Sequence, residues 1–310
     1  MEDGVHRGRV VAFLSSSLKI TTQAMYQREL EYFSNEMVSR GVDWTSLREE
    51  DLDWTIADFL VERYESTCSS QGLASAASLV AAIVKRNPRI RLTVSWKCLD
   101  LWRQKHPPVQ APAMPKALHK ALINCLLIAN QPVVAAVVVV TFDGVLRASE
   151  CLKLTAKSFL RTAGAYVAIL GVTKRGMDQK VVLTNVATLA WLDAYFDRYP
   201  MAPEGKTFDI SYNRLNYWLR RGSQALGFGH LRWSSHSLRR GGATAMVLDG
   251  HPFKDVQVYG RWLSERSCRE YLRKGEVAML KAEANVDEDS QRLVAVLGAM
   301  GADVFKLLPK

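Results

Sequence analysis

The segment SHSLRRGGAT, residues 235–244, concentrates groups that bind anions. In a helix, His236, Arg239 and Arg240 stand at i, i+3 and i+4 and share one face. The preceding serines suit a helix start, where free backbone N–H groups and the helix dipole attract a phosphate or carboxylate. The two adjacent glycines each cost a helix about 1 kcal/mol, which predicts close approach of another backbone. Taken alone, the segment is more typical of a capped helix with solvated arginines.

A second arginine lies at the end of a long apolar segment. In FDGVLRASECLKL, Arg147 is followed three residues later by Glu150, within one helical turn. A guanidinium presents a rigid fork of donors that matches two phosphate oxygens, and a nearby carboxylate can hold it in position. The alternative is an ordinary surface ion pair.

Three more residues have chemically useful side chains. Lys174 lies at the tip of a predicted hairpin in GVTKRGMDQK, where a lysine is usually solvated but can also reach a neighbouring site. Trp262 and Tyr271 lie nine residues apart in YGRWLSERSCREYLRK. A helical tyrosine is most often half-buried packing, so each residue taken singly has an ordinary structural explanation.

The order of these residues resembles the tyrosine recombinases, the phage-integrase-type family. LRASE resembles that family's first arginine box, and HSLRRGGAT its second. GRWLSERSCREYL resembles the last box, which carries a His or Trp and then the tyrosine. The resemblance is strong from Phe142 to Arg273 and extends more weakly to the family's two-domain plan. No single motif is specific. The ordered set is specific: Arg147, Lys174, His236 with Arg239, Trp262 and Tyr271.

The resemblance implies DNA strand exchange through a 3′-phosphotyrosyl intermediate. Tyr271 would attack the scissile phosphate, although its phenol, with an ordinary pKa of about 10, needs a base and cationic surroundings. His236 would donate to a nonbridging oxygen or take the tyrosine proton. Lys174 would protonate the leaving 5′-hydroxyl. The family's reaction uses no metal and no ATP, so we expect no cofactor.

The remaining residues of the resemblance would stabilise and shape the site. Arg147 and Arg239 would form a clamp on the phosphate oxygens. Trp262, where relatives more commonly have His, would donate its indole N–H to a phosphate oxygen and shape the pocket. Glu150 would orient Arg147 or His236 from behind. Many relatives have a glycine one or two residues before the first arginine, whereas here the glycine stands three before it.

The sequence leaves three alternatives open. A type IB topoisomerase uses a similar residue set for relaxation alone, but its second box normally begins with lysine where this chain has His236. A DNA-binding or regulatory protein that has lost catalysis is the second alternative, against which the intact residue set argues. The third is an unrelated basic helical adaptor. A covalent adduct on nicked half-site DNA would separate these possibilities.

Proline-rich composition predicts the division of the chain into domains. KHPPVQAPAMPK contains four prolines, which suit an exposed, semi-extended linker. Four helical patterns precede it, the first beginning at Thr21 or Thr22 and ending at Gly41. Helices and one hairpin follow it, which predicts a mainly α fold with a small antiparallel β-sheet. The valine run at 133–140 fits a strand or a buried helix. We expect an N-terminal segment, a helical core-binding domain, a linker, a catalytic domain and a C-terminal tail, at residues 1–20, 21–105, 106–115, 116–275 and 276–310.

Composition indicates a polyanionic partner. The 310 residues include 41 Lys and Arg against 31 Asp and Glu, a formal net charge of +10. We expect double-stranded DNA, gripped between the two domains with steep salt dependence.

Five cysteines without metal-ligand spacing favour a reducing compartment, so we expect an intracellular protein located with DNA, in a bacterial nucleoid or a eukaryotic nucleus. We recognise no signal peptide, and the longest apolar stretch is too short to span a bilayer.

The C-terminal tail has an amphipathic pattern after an acidic segment. Its apolar residues near the helical period are Leu293, Val296, Leu297, Met300, Val304 and Leu308. In the family such a segment often docks on a neighbouring protomer, so the resemblance implies a homotetramer on DNA with exchange of this segment. The alternative is a helix packed on its own domain.

Overall fold

The computed structural model describes residues 19–67, 69–107, 111–173, 176–269, 271–272 and 286–300. The chain divides into two compact units, residues 1–109 and 110–310. The expected exposure of the linker at 106–115 is wrong near its end, because Ala113 and Met114 are fully buried in the second unit. No helix in these described ranges is both long and apolar enough to cross a membrane.

The first unit is a bundle of helices. They are α1 (Ile20–Ser39), α2 (Glu49–Thr67), α3 (Ser70–Arg86) and α4 (Thr93–Lys105). The α1 helix packs on α3 and α2 on α4, around buried residues such as Phe33, Ile56 and Leu99. The predicted start at Thr21 or Thr22 is wrong by a few residues, because Lys19 is the N-cap. The predicted end is confirmed: Gly41 has φ +69°, the left-handed conformation that ends many helices.

The second unit is helical around one small sheet, which confirms the predicted fold class. Its elements are α5 (Lys116–Ile128), α6 (Pro132–Asp143), α7 (Ala148–Cys151), β1 (Phe159–Thr162), β2 (Ala165–Thr173), β3 (Gly176–Leu183), α8 (Val186–Arg198), α9 (Tyr212–Ala225), α10 (Ser235–Leu248), α11 (Phe253–Tyr259) and α12 (Glu288–Ala299). Residues 265–269 and 271–272 are also helical. The strands form an antiparallel sheet in the order β1-β2-β3, with Val167 opposite Val182. The β2–β3 pair is the predicted hairpin.

The valine run lies in α6 and is a buried helix. Residues 134–142 are all buried, and α5, α8 and α10 pack around them. A strand of this composition needs sheet partners, whereas a helix apolar on every side is stable when it lies in the middle of a core. Burial on all sides therefore outweighs the modest helix penalty of β-branched residues.

The paired glycines let α10 cross α6 at close range. A Cβ on Gly242 would stand 1.9 Å from the carbonyl oxygen of Phe142, and one on Gly241 would stand 2.4 Å from that of Met114. The predicted close backbone approach is confirmed. Because Phe142 is next to the last residue of α6, this contact fixes the middle of α10 beside the end of α6.

The C-terminal helix packs on its own unit. Val294 is buried against the core, and the side-chain amide of Asn124 on α5 donates to Leu297 O at 2.6 Å and to Met300 O at 2.7 Å. Leu293 and Val296, which the sequence placed on the packed face, are 41% and 64% exposed. Exchange of this helix between protomers stays a prediction.

Candidate active site

The predicted residues converge on one side of the second unit. Arg147 immediately precedes α7 and Glu150 lies within it; His236 and Arg239 occupy the first turns of α10. Trp262 follows α11, and Tyr271 lies in the helical residues 271–272. Lys174 lies outside the described residues, so its role stays a prediction.

The two helices that lead into the site end in the same way. After α6, Val145 N–H donates to Phe142 O and Leu146 N–H to Thr141 O; α11 has the matching bonds, from Arg261 to Val258 and from Trp262 to Gln257. Both are Schellman endings, whose left-handed residue is usually glycine. Here those residues are Val145, at φ +46°, and Arg261, at φ +59°. A valine in this conformation is a genuine outlier, which surrounding packing must hold.

Arg239 is fixed by what surrounds its guanidinium. Its side chain is 3% exposed, with Nη1 donating to Val145 O at 2.6 Å and Nη2 to Gly260 O at 2.5 Å. The strained Val145 and the residue that caps α11 thus both turn their carbonyls toward Arg239. Burial lowers the pKa of Arg239 to about 10, which leaves it charged at neutral pH.

Trp262 lies against the guanidinium of Arg239 and beside Tyr271. The Arg239 Cζ stands 4.7 Å from the Trp262 ring centroid, a cation–π distance, and the Trp262 and Tyr271 ring centroids are 5.2 Å apart. A Cβ on Gly260 would lie 1.6 Å from the indole, so only glycine fits there. The arrangement gives Trp262 a packing role; donation of its N–H to a phosphate stays a prediction.

Glu150 lies within ion-pair distance of three arginines. Its Oε1 accepts from Arg147 Nη1 at 2.5 Å, and its Oε2 accepts from the Arg147 backbone N–H at 2.8 Å. Arg261 Nη2 donates to the same Oε2 at 2.9 Å, and Arg239 Nη1 lies 3.8 Å from it. Burial by itself would raise the pKa of Glu150, but the N–H of Arg147 and the charges of Arg261 and Arg147 outweigh it and lower that pKa. The carboxylate therefore stays ionised and faces Arg147.

The Tyr271 hydroxyl lies at the start of α10. It donates a long hydrogen bond, 3.4 Å, to the carbonyl of His236. Burial raises the pKa of Tyr271, while the charges of Arg239, Arg240 and Arg147 pull it down. Desolvation and the same three arginines lower the pKa of His236 below 6.5, so its ring is neutral at pH 7 and can accept a proton.

Arg240 corrects one sequence interpretation. The sequence alternative of solvated arginines is wrong for Arg240, because its side chain is 4% exposed and donates to the carbonyl of Ala111. Its Cζ also stands 4.6 Å from the Tyr271 ring centroid. The segment leading into α5 and the Tyr271 segment cover this side of α10, which spacing along a single helix does not reveal.

Arg261 is a site residue that the sequence did not single out. Its side chain is only 8% exposed and contacts Glu150, Val145 O and Tyr259 O. An arginine beside a tryptophan in a loop has no periodic spacing that would mark it. Among the described residues, the site holds four arginines and one carboxylate around a phenol and an imidazole. Such a group suits a phosphodiester, whose negative charge increases as a nucleophile attacks it.

Comparison with known proteins gives the family. Residues 114–276 match the phage integrase family. The tyrosine recombinase XerD of Proteus mirabilis is 26% identical over 269 residues, which cover 79% of this chain and 80% of XerD. The chain belongs to the phage integrase family, and its resemblance to the tyrosine recombinases is confirmed.

Solved structures share the fold. The Tn1549 transposon integrase, in complex with transposon right end DNA, is 14% identical with a TM-score of 0.62, over 90% of this chain and 98% of that one. XerH recombinase bound to difH in a pre-cleavage complex is 19% identical with a TM-score of 0.57, over 84% of this chain and 78% of that one. A lambda integrase dimer bound to a COC′ core site is 13% identical with a TM-score of 0.58, over 86% and 93%.

Proposed function

We propose that this protein is a site-specific DNA recombinase or integrase that cleaves and rejoins strands through a 3′-phosphotyrosyl bond. The observation that carries the proposal is the position of the Tyr271 hydroxyl, 3.4 Å from the backbone of His236 and within the field of three arginines. A phenol needs a nearby base and cationic surroundings to act as a nucleophile at neutral pH.

The reaction is a transesterification, in which one phosphate ester bond forms as another breaks. The Tyr271 oxygen attacks the scissile phosphorus and its proton passes to the neutral His236 ring, while the bond to the 5′-oxygen breaks. Lys174 gives a proton to that leaving oxygen. Arg147 and Arg239 stabilise the charge on the nonbridging oxygens, each through N–H donors not committed to Glu150, Val145 or Gly260. In the second step another 5′-hydroxyl gives its proton to Lys174 and attacks the phosphorus of the phosphotyrosine. The bond to the Tyr271 oxygen breaks, that oxygen takes the proton back from His236, and the DNA strand is restored.

This chemistry needs neither metal nor ATP. One phosphodiester is exchanged for a phosphotyrosyl ester of similar energy, so no nucleotide hydrolysis is required for rejoining. The arginines supply the positive charge that a divalent cation provides in other phosphoryl-transfer sites. Cleavage in the presence of EDTA and without ATP is the expected result.

The partner is double-stranded DNA, in an intracellular setting. The net charge of +10 favours a polyanion, and the XerH, Tn1549 integrase and lambda integrase structures are DNA complexes of those proteins. We assign residues 21–105 to core binding, residues 106–115 to a linker and residues 116–275 to catalysis. The working assembly is a homotetramer on DNA.

The tetramer would be joined by exchange of the C-terminal helix α12. Deleting residues 285–310 should weaken assembly on DNA more than binding by one protomer, measured by mobility shift on full and half sites. Equal losses would contradict exchange and favour the packing of α12 on its own unit.

The test of the proposal is a covalent trap. Duplexes bound by the protein are selected from a random-sequence library and nicked one nucleotide from each candidate cleavage position, so that the cleaved fragment diffuses away. The wild-type chain should form an adduct that resists SDS, and Tyr271→Phe should form none. Tyr217→Phe, which changes an exposed tyrosine on α9, should match the wild type.

The same trap separates the alternatives. An adduct that joins to a second duplex supports recombination, whereas relaxation of supercoiled DNA without strand exchange would favour topoisomerase activity. DNA binding with no adduct on any selected duplex would favour a catalytically inactive DNA-binding protein.

A further inference from the structure

Arg261 stands where glycine fits best. It is the left-handed residue at the end of α11, with φ +59°. A residue with a side chain is strained in that conformation, and most helices that end in this way use glycine. Asn130, at φ +55°, ends α5 with the same pair of bonds but carries the side chain best tolerated there. A strained arginine that points inward indicates a use for its side chain.

The Arg261 guanidinium connects the elements that form the site. Nη1 donates to Tyr259 O at 3.2 Å, and Nη2 contacts Val145 O at 3.3 Å and Glu150 Oε2 at 2.9 Å. It thereby joins the end of α11 to the loop before Arg147 and to α7. Arg239 Nη1 lies near the same two acceptors. It is 2.6 Å from Val145 O and 3.8 Å from Glu150 Oε2.

We infer that Arg261 is a positioning residue that keeps the carboxylate of Glu150 away from Arg239. The inference rests on the proposed function. Glu150 needs a negative charge to hold Arg147, but that charge also attracts Arg239, which lies within 4 Å. Arg261 satisfies Oε2, so Arg239 stays on the carbonyls of Val145 and Gly260. The phosphate then meets an Arg147 that Glu150 holds in place and an Arg239 whose charge the carboxylate does not cancel.

Single-turnover cleavage with saturating protein on the nicked half-site tests this role. Arg261→Gln removes the charge and keeps N–H donors, and we expect cleavage about 10- to 100-fold slower with DNA affinity changed less than about 3-fold. Arg261→Lys should recover most of the lost rate. Arg161→Gln is the matched control, because Arg161 pairs with Asp193 at 2.9 Å on the exposed surface. It should cleave like the wild type.

A double variant separates positioning from mere folding. If Arg261 acts by neutralising Glu150, then Glu150→Gln with Arg261→Gln should cleave within about 3-fold of Glu150→Gln alone. Multiplicative losses, or an unchanged rate in Arg261→Gln, would overturn the inference. A fall in cleavage matched by the same fall in DNA affinity would also overturn it, because that result indicates lost folded protein. Absence of an adduct with the wild-type chain would instead refute the proposed function and the role of Arg261 together.

Discussion

Gly242→Ala tests how the crossing of two helices controls the site. The new methyl would lie 1.9 Å from the carbonyl oxygen of Phe142, where real Cβ atoms keep at least 3.0 Å. The obstacle is backbone at the end of a fully packed helix, so no side chain can rotate away. Helix α10 must therefore move away from the end of α6 by about 1 Å at its middle, since cores absorb such strain poorly.

The cost follows from that displacement. Overpacking of this kind lowers the free energy of unfolding by about 3 kcal/mol. The second unit has roughly 200 residues, for which each kcal/mol lowers the melting temperature by about 2–4 °C, so its transition should fall by about 6–12 °C. His236 and Arg239 move with α10 while Arg147 stays with α6. Because a 1 Å misplacement of catalytic groups can cost about 100-fold, cleavage should slow by about that factor.

Differential scanning calorimetry of the full chain and single-turnover cleavage of the nicked half-site measure the two effects. Gly164→Ala is the control, since a Cβ there meets nothing within 4 Å. It should change neither the transition nor the rate. A Gly242→Ala protein that melts and cleaves like the wild type would refute the close crossing of α10 on α6.

Three other outcomes are expected. Trp262→Phe keeps a ring against Arg239 and should cleave within about 5-fold of the wild type, whereas Trp262→Ala should lose at least about 10-fold; equal losses would assign the indole N–H to the phosphate instead. His119 is buried, and burial lowers its pKa to about 3, so the ring is neutral in the folded state. Between pH 6.5 and about 3 the His119 imidazole is protonated in the unfolded chain and neutral in the folded chain. The free energy of unfolding should therefore fall by about 2 kcal/mol between pH 7 and pH 5. Urea titrations should show this loss in the wild type and not in His119→Leu; equal slopes would contradict it. DNA affinity should fall by about 1,000-fold between 50 and 200 mM salt, and an isotherm insensitive to salt would contradict phosphate binding.

The sequence predicts those parts of the site that rest on order and spacing. The arginine boxes, the hairpin and the alternation of helix with a small sheet all follow from local patterns. The paired glycines also give a correct prediction, since their cost in a helix implies a compensating contact. Each of these signals lies within one segment of the chain.

What the sequence does not reveal depends on contacts between segments. Arg240 and Arg239 are neighbours on α10, and only the segments packed over α10 decide that both are buried. Arg261 carries no periodic signal, and its role depends on the end of α11 meeting the end of α6. The valine run could be assigned to a helix only once its neighbours on every side were known.

The most direct measurement is the identity of the residue that becomes linked to DNA. Trypsin cleaves after Arg269 and Arg273, so Tyr271 lies in the tetrapeptide EYLR. After the trapped adduct is digested with nuclease and trypsin, mass spectrometry should find this peptide carrying a nucleotide on its tyrosine through a 3′-phosphate. A nucleotide on any other peptide, or a 5′-linked nucleotide on this one, would contradict the proposed mechanism.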